Sequence, residues 1–90
     1  VERIGGLGVQ ISKVSEGFII ERVYTNTPAE QQGVEKGAVI VEVNGVETYD
    51  LSTYDFLQLT TGTVGSEVMV RFLDDLPEDP PHRFVRAILE

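Results

Sequence analysis

The stretch IGGLGVQIS, residues 4–12, contains three glycines within four positions and then alternates apolar and polar residues over Val9–Ser12. Alternation with a period of two predicts a strand. Glycine backbone is costly to order, so a glycine-rich segment directly before a strand needs a physical reason. Successive backbone N–H groups in such a turn can converge on a carboxylate, and a peptide bound there could extend alongside as an added strand. A tight turn without a ligand explains the glycines equally well.

Four further segments carry strand patterns. Residues 17–24, GFIIERVY, are rich in β-branched and aromatic residues, which predicts a strand. Residues 38–48 predict a strand, a type I′ turn at Asn-Gly and a short returning strand. Apolar and polar residues alternate over 66–73, which predicts a half-buried strand, and residues 83–89 are predicted to pair back on it.

Two segments carry helix signals. Thr27 is a good N-cap followed by proline, and Gly33 supplies a stop, which predicts a helix of barely two turns. Residues 50–62 predict the one substantial helix, with Ser52 in its capping pair and Gly62 as its end.

The order of these elements predicts the fold class. It reads strand, strand, short helix, two strands, long helix, two strands, which is mainly β with two helices (α+β) and not a βαβ layout. We expect a small antiparallel barrel or sandwich capped by one short and one longer helix. A length of 90 residues fits one domain over residues 1–90. Because the chain starts at Val1, we expect it to be excised from a longer protein.

Composition restricts the partners. A formal net charge of −8 repels phosphate backbones and anionic membrane surfaces, so nucleic acid is not an expected partner. For a small acidic domain, solubility alone is the simpler full explanation of the charge. No apolar run approaches the roughly 20 residues of a membrane helix, so membrane insertion is not expected. The chain has no cysteine, which excludes disulfides and thiolate metal sites and leaves the compartment open.

The sequence carries no catalytic, metal or cofactor motif. The dinucleotide fingerprint G-x-G-x-x-G fails because Ile11 occupies its last position. The single histidine, His82, follows two prolines and is interpreted as a solvated loop residue, with no serine in a nucleophile-like turn to partner it. The acidic stretch DDLPEDPPH, residues 74–82, matches no EF-hand and is interpreted as a charged hairpin tip. We therefore expect no enzymatic activity from this chain alone.

Two motifs together resemble the PDZ domain. Gly6-Leu7-Gly8-Val9 is similar to the carboxylate-binding loop of that family. TPAEQQGVEKGAVIVEVNGVET, residues 27–48, resembles the PDZ stretch S-P-A-x-x-A-G-Φ-x-x-G-D-x-I-x-x-V-N-G, in which Φ is apolar. Residues 50–73 look like the groove helix, a glycine stop, a G-S/T turn and the next strand. The resemblance covers roughly residues 5–88 and implies a PDZ-like fold.

Among PDZ domains, the chain most resembles those of the C-terminal processing (tail-specific) proteases of bacteria and plastids. Its loop and its Gly65–Val68 turn match them, whereas Ala38 replaces the usual Asp and Thr61 replaces a frequent Arg. The resemblance implies a parent serine-type C-terminal processing protease, periplasmic or otherwise exported, whose catalytic domain is a further partner. A PDZ domain from a trypsin-like periplasmic protease is the alternative parentage.

The resemblance also implies the ligand and its site. The chain would capture the free C-terminus of a polypeptide by strand addition, and so deliver substrate to the attached protease or regulate it. An intramolecular docking or regulatory module without a free-peptide ligand is the alternative. Helical spacing places Thr53, Leu57 and Thr60 on one face, whereas Phe56 and Leu59 are expected in the core. The expected peptide-binding residues are Gly6, Leu7, Gly8, Val9, Gln10, Ile11, Thr53, Leu57 and Thr60.

The expected ligands are polypeptide C-termini with apolar last residues. Thr53 stands where PDZ domains that select Ser or Thr two places before the ligand's terminus commonly have histidine. Discrimination among ligand side chains by hydrogen bonding at that position should therefore be poor. We expect loose selection for last residues such as Val, Leu, Ala or Phe, with acidic peptides disfavoured by the charge.

Overall fold

A computed structural model describes residues 4–88 of the chain. Leu89, the end of the last predicted strand, lies outside the described residues. The described elements, in chain order, are β1 (Ile4–Gly6), β2 (Val9–Val14), β3 (Gly17–Val23), α1 (Pro28–Gln31), β4 (Val39–Val43), β5 (Val46–Glu47), α2 (Thr53–Thr60), β6 (Gly62–Thr63), β7 (Glu67–Phe72), β8 (His82–Val85) and β9 (Ala87–Ile88).

The strands form two antiparallel sheets. The larger has the order β2-β3-β4-β7-β8, with β5 paired to β4, and the smaller has the order β6-β1-β9. β2 and β8 are therefore the two end strands of the larger sheet among the described residues. The predicted fold class, mainly antiparallel β with two helices, is confirmed.

The core lies between the larger sheet and α2. The rings of Phe18 and Phe56 stack with centroids 4.2 Å apart, which joins β3 to the helix. Burying a phenylalanine side chain contributes about 1.5–3 kcal/mol, so this pair is a principal anchor of α2. Phe56 was predicted in the core and is 1% exposed, and Leu59 packs against the core as expected. Among the described residues, the other large apolar side chains that are fully buried are Ile20, Ile40, Val43, Val68, Val70 and Phe84.

Local signals in the sequence form the predicted caps and turn. The hydroxyl of Thr27 accepts a hydrogen bond from the Glu30 N–H, and the hydroxyl of Ser52 accepts one from the Asp55 N–H. Between β4 and β5, Asn44 and Gly45 have φ values of 51° and 82°, as a type I′ turn requires.

Three details differ from the sequence-based expectation. Gly62 does not end α2: the helix ends at Thr60, Thr61 is extended, and Gly62 begins β6. A Cβ at Gly62 would lie 3.1 Å from the Arg86 guanidinium, so a side chain at this position would crowd that group. The predicted strand over 83–89 is divided, because only His82–Val85 pairs with β7, whereas Ala87–Ile88 pairs with β1.

The third difference concerns the glycine-rich segment itself. Gly5 and Gly6 belong to β1, where Gly5 lies opposite Gly62 and Gly6 lies opposite Ala87. The loop between β1 and β2 is therefore only Leu7 and Gly8, shorter than the glycine spacing suggested.

Candidate functional site

A narrow groove runs between β2 and α2. It encloses a cavity of about 50 Å³ and receives residues from the β1–β2 loop, from β2 and from one face of the helix. β2 pairs with β3 on one side, and no strand of residues 4–88 pairs with its other side. The lining residues are Leu7, Gly8, Val9, Ile11, Phe56, Leu57, Thr60 and Thr61.

Gly8 at the head of the groove cannot be replaced without strain. Its φ is +86°, and a Cβ there would lie 2.2 Å from the Cβ of Thr27, the N-cap of α1. The loop is also held from inside. The Leu7 carbonyl accepts from the Ala29 N–H, and the Gly8 carbonyl accepts from the Tyr24 N–H. The loop thus packs directly on the start of α1.

The carbonyls of this loop accept hydrogen bonds from the chain, whereas its N–H groups have no acceptor among the described residues. Within residues 4–88, neither the Leu7 nor the Gly8 N–H donates to another group of the chain. The Leu7 side chain is buried in the core, so the backbone around it is held in place. Such a fixed pair of N–H groups, without an acceptor among residues 4–88 and beside a strand edge unpaired there, is suited to bind an anion.

The helix wall of the groove is mainly apolar. Leu57 is 44% exposed and Phe56 is 1% exposed, so the first forms the open side and the second the floor. The hydroxyls of Thr60 and Thr61 both donate to the Leu57 carbonyl. Because these hydroxyls are used within the helix, the wall has few free polar groups.

A lysine holds the opposite end of the groove. Lys13, on β2, donates from Nζ to the carbonyls of Tyr49 and Leu51 in the segment before α2. The same ammonium lies 5.0 Å from the centroid of the Phe18 ring. This contact couples β2 to the start of α2 and so restricts the width of the groove there.

The predicted site residues divide into two sets. Leu7, Gly8, Val9, Ile11, Leu57 and Thr60 all line the groove. Gly6, Gln10 and Thr53 do not: Gly6 is paired in β1, and the other two are exposed outside the cavity. Whether any of them binds a ligand stays a prediction.

Sequence reasoning missed two residues of the groove, Phe56 and Thr61. Phe56 was assigned to the core alone, yet it is both core and groove floor. Residues 56, 57, 60 and 61 lie on one helix face by the i, i+4 rule, and that spacing could have identified the pair.

A second cavity, of about 540 Å³, lies between α1 and the β7–β8 hairpin. His82 borders it, and its Nε2 lies 3.1 Å from a carboxylate oxygen of Asp75. His82 begins β8, so its assignment to a loop was wrong. Among the described residues, no cluster of three or more His, Cys, Asp or Glu could hold a metal ion.

The Asp75 carboxyl is held in its ionised form. Partial burial alone would raise its pKa, but the Phe72 N–H donates to it at 2.9 Å and His82 lies beside it. These contacts, with the charge of Arg71, bring the pKa of Asp75 below its ordinary value of 3.8. The carboxylate thus closes the β7–β8 hairpin.

Comparisons with known proteins agree with this architecture. The PDZ domain family matches residues 19–73, more than half of the sequence, so the chain belongs to that family. The match begins in β3, so it does not include the Leu7–Gly8 loop or β2. No characterised protein matches the sequence significantly in a direct comparison. None of the described helices is long and apolar enough to cross a membrane.

Two similar solved structures are C-terminal processing proteases. The photosystem II D1 C-terminal processing protease superposes with a TM-score of 0.83 at 24% identity, over 100% of this chain and 25% of its own. The PDZ domain of a carboxy-terminal protease from Vibrio cholerae, in complex with a peptide, has a TM-score of 0.77 at 23% identity, covering 92% of this chain and 93% of its own.

An HtrA-type protease, AlgW, with a decapeptide, is a further neighbour. It has a TM-score of 0.64 at 20% identity, covering 92% of this chain and 28% of its own. The chain therefore spans about a quarter of the photosystem II enzyme and most of the Vibrio domain. At these identities the likeness shows the fold, and PDZ domains are binding modules.

Proposed function

We propose that this PDZ domain captures the free C-terminus of a polypeptide in the groove between β2 and α2. The peptide pairs with β2 as an added strand, and its terminal carboxylate accepts from the N–H groups of Leu7, Gly8 and Val9. One observation carries the proposal: two N–H groups without an acceptor in the described chain stand at the start of an unpaired strand edge.

Charge-assisted hydrogen bonds make the carboxylate the main source of affinity. Hydrogen bonds to charged groups contribute about 1.5–3 kcal/mol each, more than neutral ones. The groove walls add apolar contact but only a few polar partners. An amidated peptide should therefore bind much more weakly than the same peptide with a free terminus.

The volume of the groove refines the expected ligand. About 50 Å³ is well below the roughly 150 Å³ of an apolar cavity that accepts a benzene ring. A last residue of Ala or Val fits with little change, whereas Leu or Phe requires the exposed Leu57 to move. The −8 charge disfavours acidic peptides, mainly by slowing association at low salt.

We further propose that the parent protein is a serine-type C-terminal processing protease that is periplasmic or otherwise exported. The neighbours support this parentage because two of them are C-terminal processing proteases. The domain would then deliver polypeptide ends to the catalytic domain of its own chain or regulate that domain. Thr61, in the place of a frequent arginine, would make any regulatory contact there differ from that of its relatives.

The small cavity favours one alternative, an intramolecular docking module whose groove stays closed to free peptide. Leu57 and Phe56 line the space between the helix and β2, of which only about 50 Å³ is free. In that case the partner would be a segment of the parent chain rather than a separate polypeptide.

A titration followed by backbone amide NMR decides between them. A peptide ending in Ala is added with a free carboxylate, and the same peptide is added amidated. We expect the largest shifts at Leu7, Gly8 and Val9, and only for the free acid. Equal binding of both forms would contradict capture of the C-terminus, and no binding of either would favour the docking module.

A C-terminal peptide array tests the selectivity. We expect Ala and Val to exceed Leu and Phe at the last position, with Asp and Glu depleted throughout. A dominant requirement for Ser or Thr two places before the terminus would contradict the role given to Thr53.

A further inference from the structure

Arg86 is a buried cation whose described partners include no carboxylate. The residue is 9% exposed and lies where the chain passes from β8 to β9. Buried charges in proteins are normally paired with an opposite charge, because removing an unpaired ion from water is expensive. Among residues 4–88, every hydrogen-bond acceptor of this guanidinium is a neutral oxygen.

Its partners lie on two elements, one of which is the helix that borders the groove. Nε donates to the Thr60 carbonyl at 3.0 Å, and one terminal nitrogen donates to the Leu59 carbonyl at 2.9 Å. The other terminal nitrogen donates to the Ser66 hydroxyl and to the Glu67 carbonyl, at 2.8 and 3.1 Å. The guanidinium thus attaches the last turn of α2 to the start of β7.

The position of this last turn creates an electrostatic problem for an anionic ligand. Thr60 and Thr61, at the C-terminal end of α2, line the groove together with Leu7 and Gly8. The carbonyl end of a helix carries a partial negative charge, which would repel a carboxylate placed beside it. Arg86 binds the carbonyls of that end directly, and its positive charge offsets them.

We propose that Arg86 is the positioning residue for the carboxylate end of the groove. It holds the last turn of α2 in place, and its positive charge, which pairs with no carboxylate of residues 4–88, makes the neighbouring Leu7–Gly8 N–H groups favourable for an anion. The inference deepens the proposed function and rests on it. In the bound state the peptide carboxylate supplies the negative charge that the described chain does not place next to Arg86.

Gly62 is part of the same arrangement. An ideal Cβ at this position would lie 3.1 Å from the guanidinium, so the absent side chain leaves space for it. Gly62 lies opposite Gly5 in the sheet, two residues before Leu7. Arg86 therefore lies close behind the strands that lead into the carboxylate-binding loop.

The test compares the free-acid and amidated peptides on three variants of the 90-residue chain. The measured quantity is the ratio of the two dissociation constants. Arg86→Met removes the charge and the forked hydrogen bonds, and Arg86→Lys keeps the charge alone. Arg83→Met is the matched control, because it removes the same charge from an exposed arginine that pairs with Glu67.

Arg86→Met should lower the preference for the acid by about fivefold or more, the effect of a charge at a partly buried helix end. Arg86→Lys should keep most of the preference, although it lowers the melting temperature. Arg83→Met should change the ratio by less than about twofold, as expected for an exposed charge. A purely structural role would weaken acid and amide alike and leave the ratio unchanged.

Each other outcome has a defined meaning. If the wild-type chain does not distinguish acid from amide, the proposed function and this inference both fail. The wild-type chain can instead prefer the free acid while Arg86→Met keeps the same ratio of dissociation constants, or while Arg86→Lys lowers that ratio as much as Arg86→Met does. Either result overturns only the role of the Arg86 charge.

A wild-type measurement covers the case in which Arg86→Met does not fold. The Nε–H of Arg86 is buried and bonded to the Thr60 carbonyl, so its NMR resonance should be observable. We expect it to shift with the free-acid peptide and not with the amidated one. An equal response to both peptides, or none to either, would overturn the inference.

Discussion

The two end strands of the larger sheet differ in how their edges are treated. β8 lies next to α1, and the side-chain amide of Gln32 donates to the Arg83 carbonyl at 2.8 Å. Two prolines precede this strand, and Arg83 pairs with Glu67 at 2.7 Å. β2 borders the groove, and no strand of the described residues pairs with its outer side.

The difference indicates which edge of the sheet is open to an added strand. An unpaired edge invites unwanted pairing, and proteins usually protect it with charges, prolines or a covering element. β8 has all three, whereas β2 has a fixed loop at its start and a helix across a narrow gap. An edge left open beside unused N–H groups is expected where strand addition is the function.

The loop at the start of β2 offers the largest test of this contrast. Gly8→Ala places a Cβ against Thr27 in a left-handed backbone, so we expect a loss of about 2–5 kcal/mol in the free energy of unfolding. Gly33→Ala is the control, since Gly33 also has positive φ (+77°) but open space around its Cβ position.

Urea unfolding measures both glycine variants. The control should lose only about 1 kcal/mol. Equal losses would show that backbone conformation alone, and not contact with α1, requires Gly8. The Gly8 variant should also bind the free-acid peptide more weakly wherever enough of it stays folded.

A matched pair of threonine substitutions tests the two edges directly. Ile11→Thr removes apolar surface from the groove, and we expect peptide affinity to fall about five- to tenfold. Val85→Thr makes the same kind of change on β8, where the side chain is 45% exposed, and should leave affinity within about twofold. Equal losses of peptide affinity in the two variants would contradict binding along β2.

Removing the Gln32 contact that covers the edge of β8 should have a smaller effect, this time on stability. Gln32→Ala deletes the amide that donates to the Arg83 carbonyl and should lower stability by about 0.5–1.5 kcal/mol. Gln31→Ala, at the exposed neighbouring position, should change it by less than about 0.5 kcal/mol. Thermal unfolding compares them, and a larger effect at Gln31 would contradict the role of the Gln32 contact.

The smallest expected effect is a pH dependence at the base of β8. The pKa of Asp75 is lower in the folded chain than its ordinary value of 3.8, so its stabilising contribution is present above that pH. The contribution is lost as the pH falls through the lowered folded pKa. Asp75→Asn should therefore make stability decline less steeply below about pH 4 than in the wild type.

Asp74→Asn is the control for that measurement, since Asp74 is the exposed neighbour of the same hairpin. Unfolding by urea at a series of acidic pH values gives both slopes. An identical slope for wild type and Asp75→Asn would show that the Phe72 and His82 contacts do not stabilise the carboxylate.

The sequence by itself determined the features that depend on a few neighbouring residues. The Asn44-Gly45 turn, the caps at Thr27 and Ser52 and the alternating strand after Gly65 all formed as predicted. Each is set by the backbone preference of one or two residues or by a side chain that reaches three positions along the chain. The family resemblance extended these local predictions to the PDZ fold.

The tertiary structure alone decided what depends on distant contacts. Contacts between elements that are distant in the chain decide three features. These are the role of Gly62, the division of the last strand between two sheets, and the place of Phe56 in both the core and the groove floor. Arg86 shows the reason most clearly, because its carbonyl partners on α2 lie 26 and 27 positions away in the chain. No local pattern specifies which oxygens a long side chain will meet, since packing of the helix, the sheet and the loop sets their positions together.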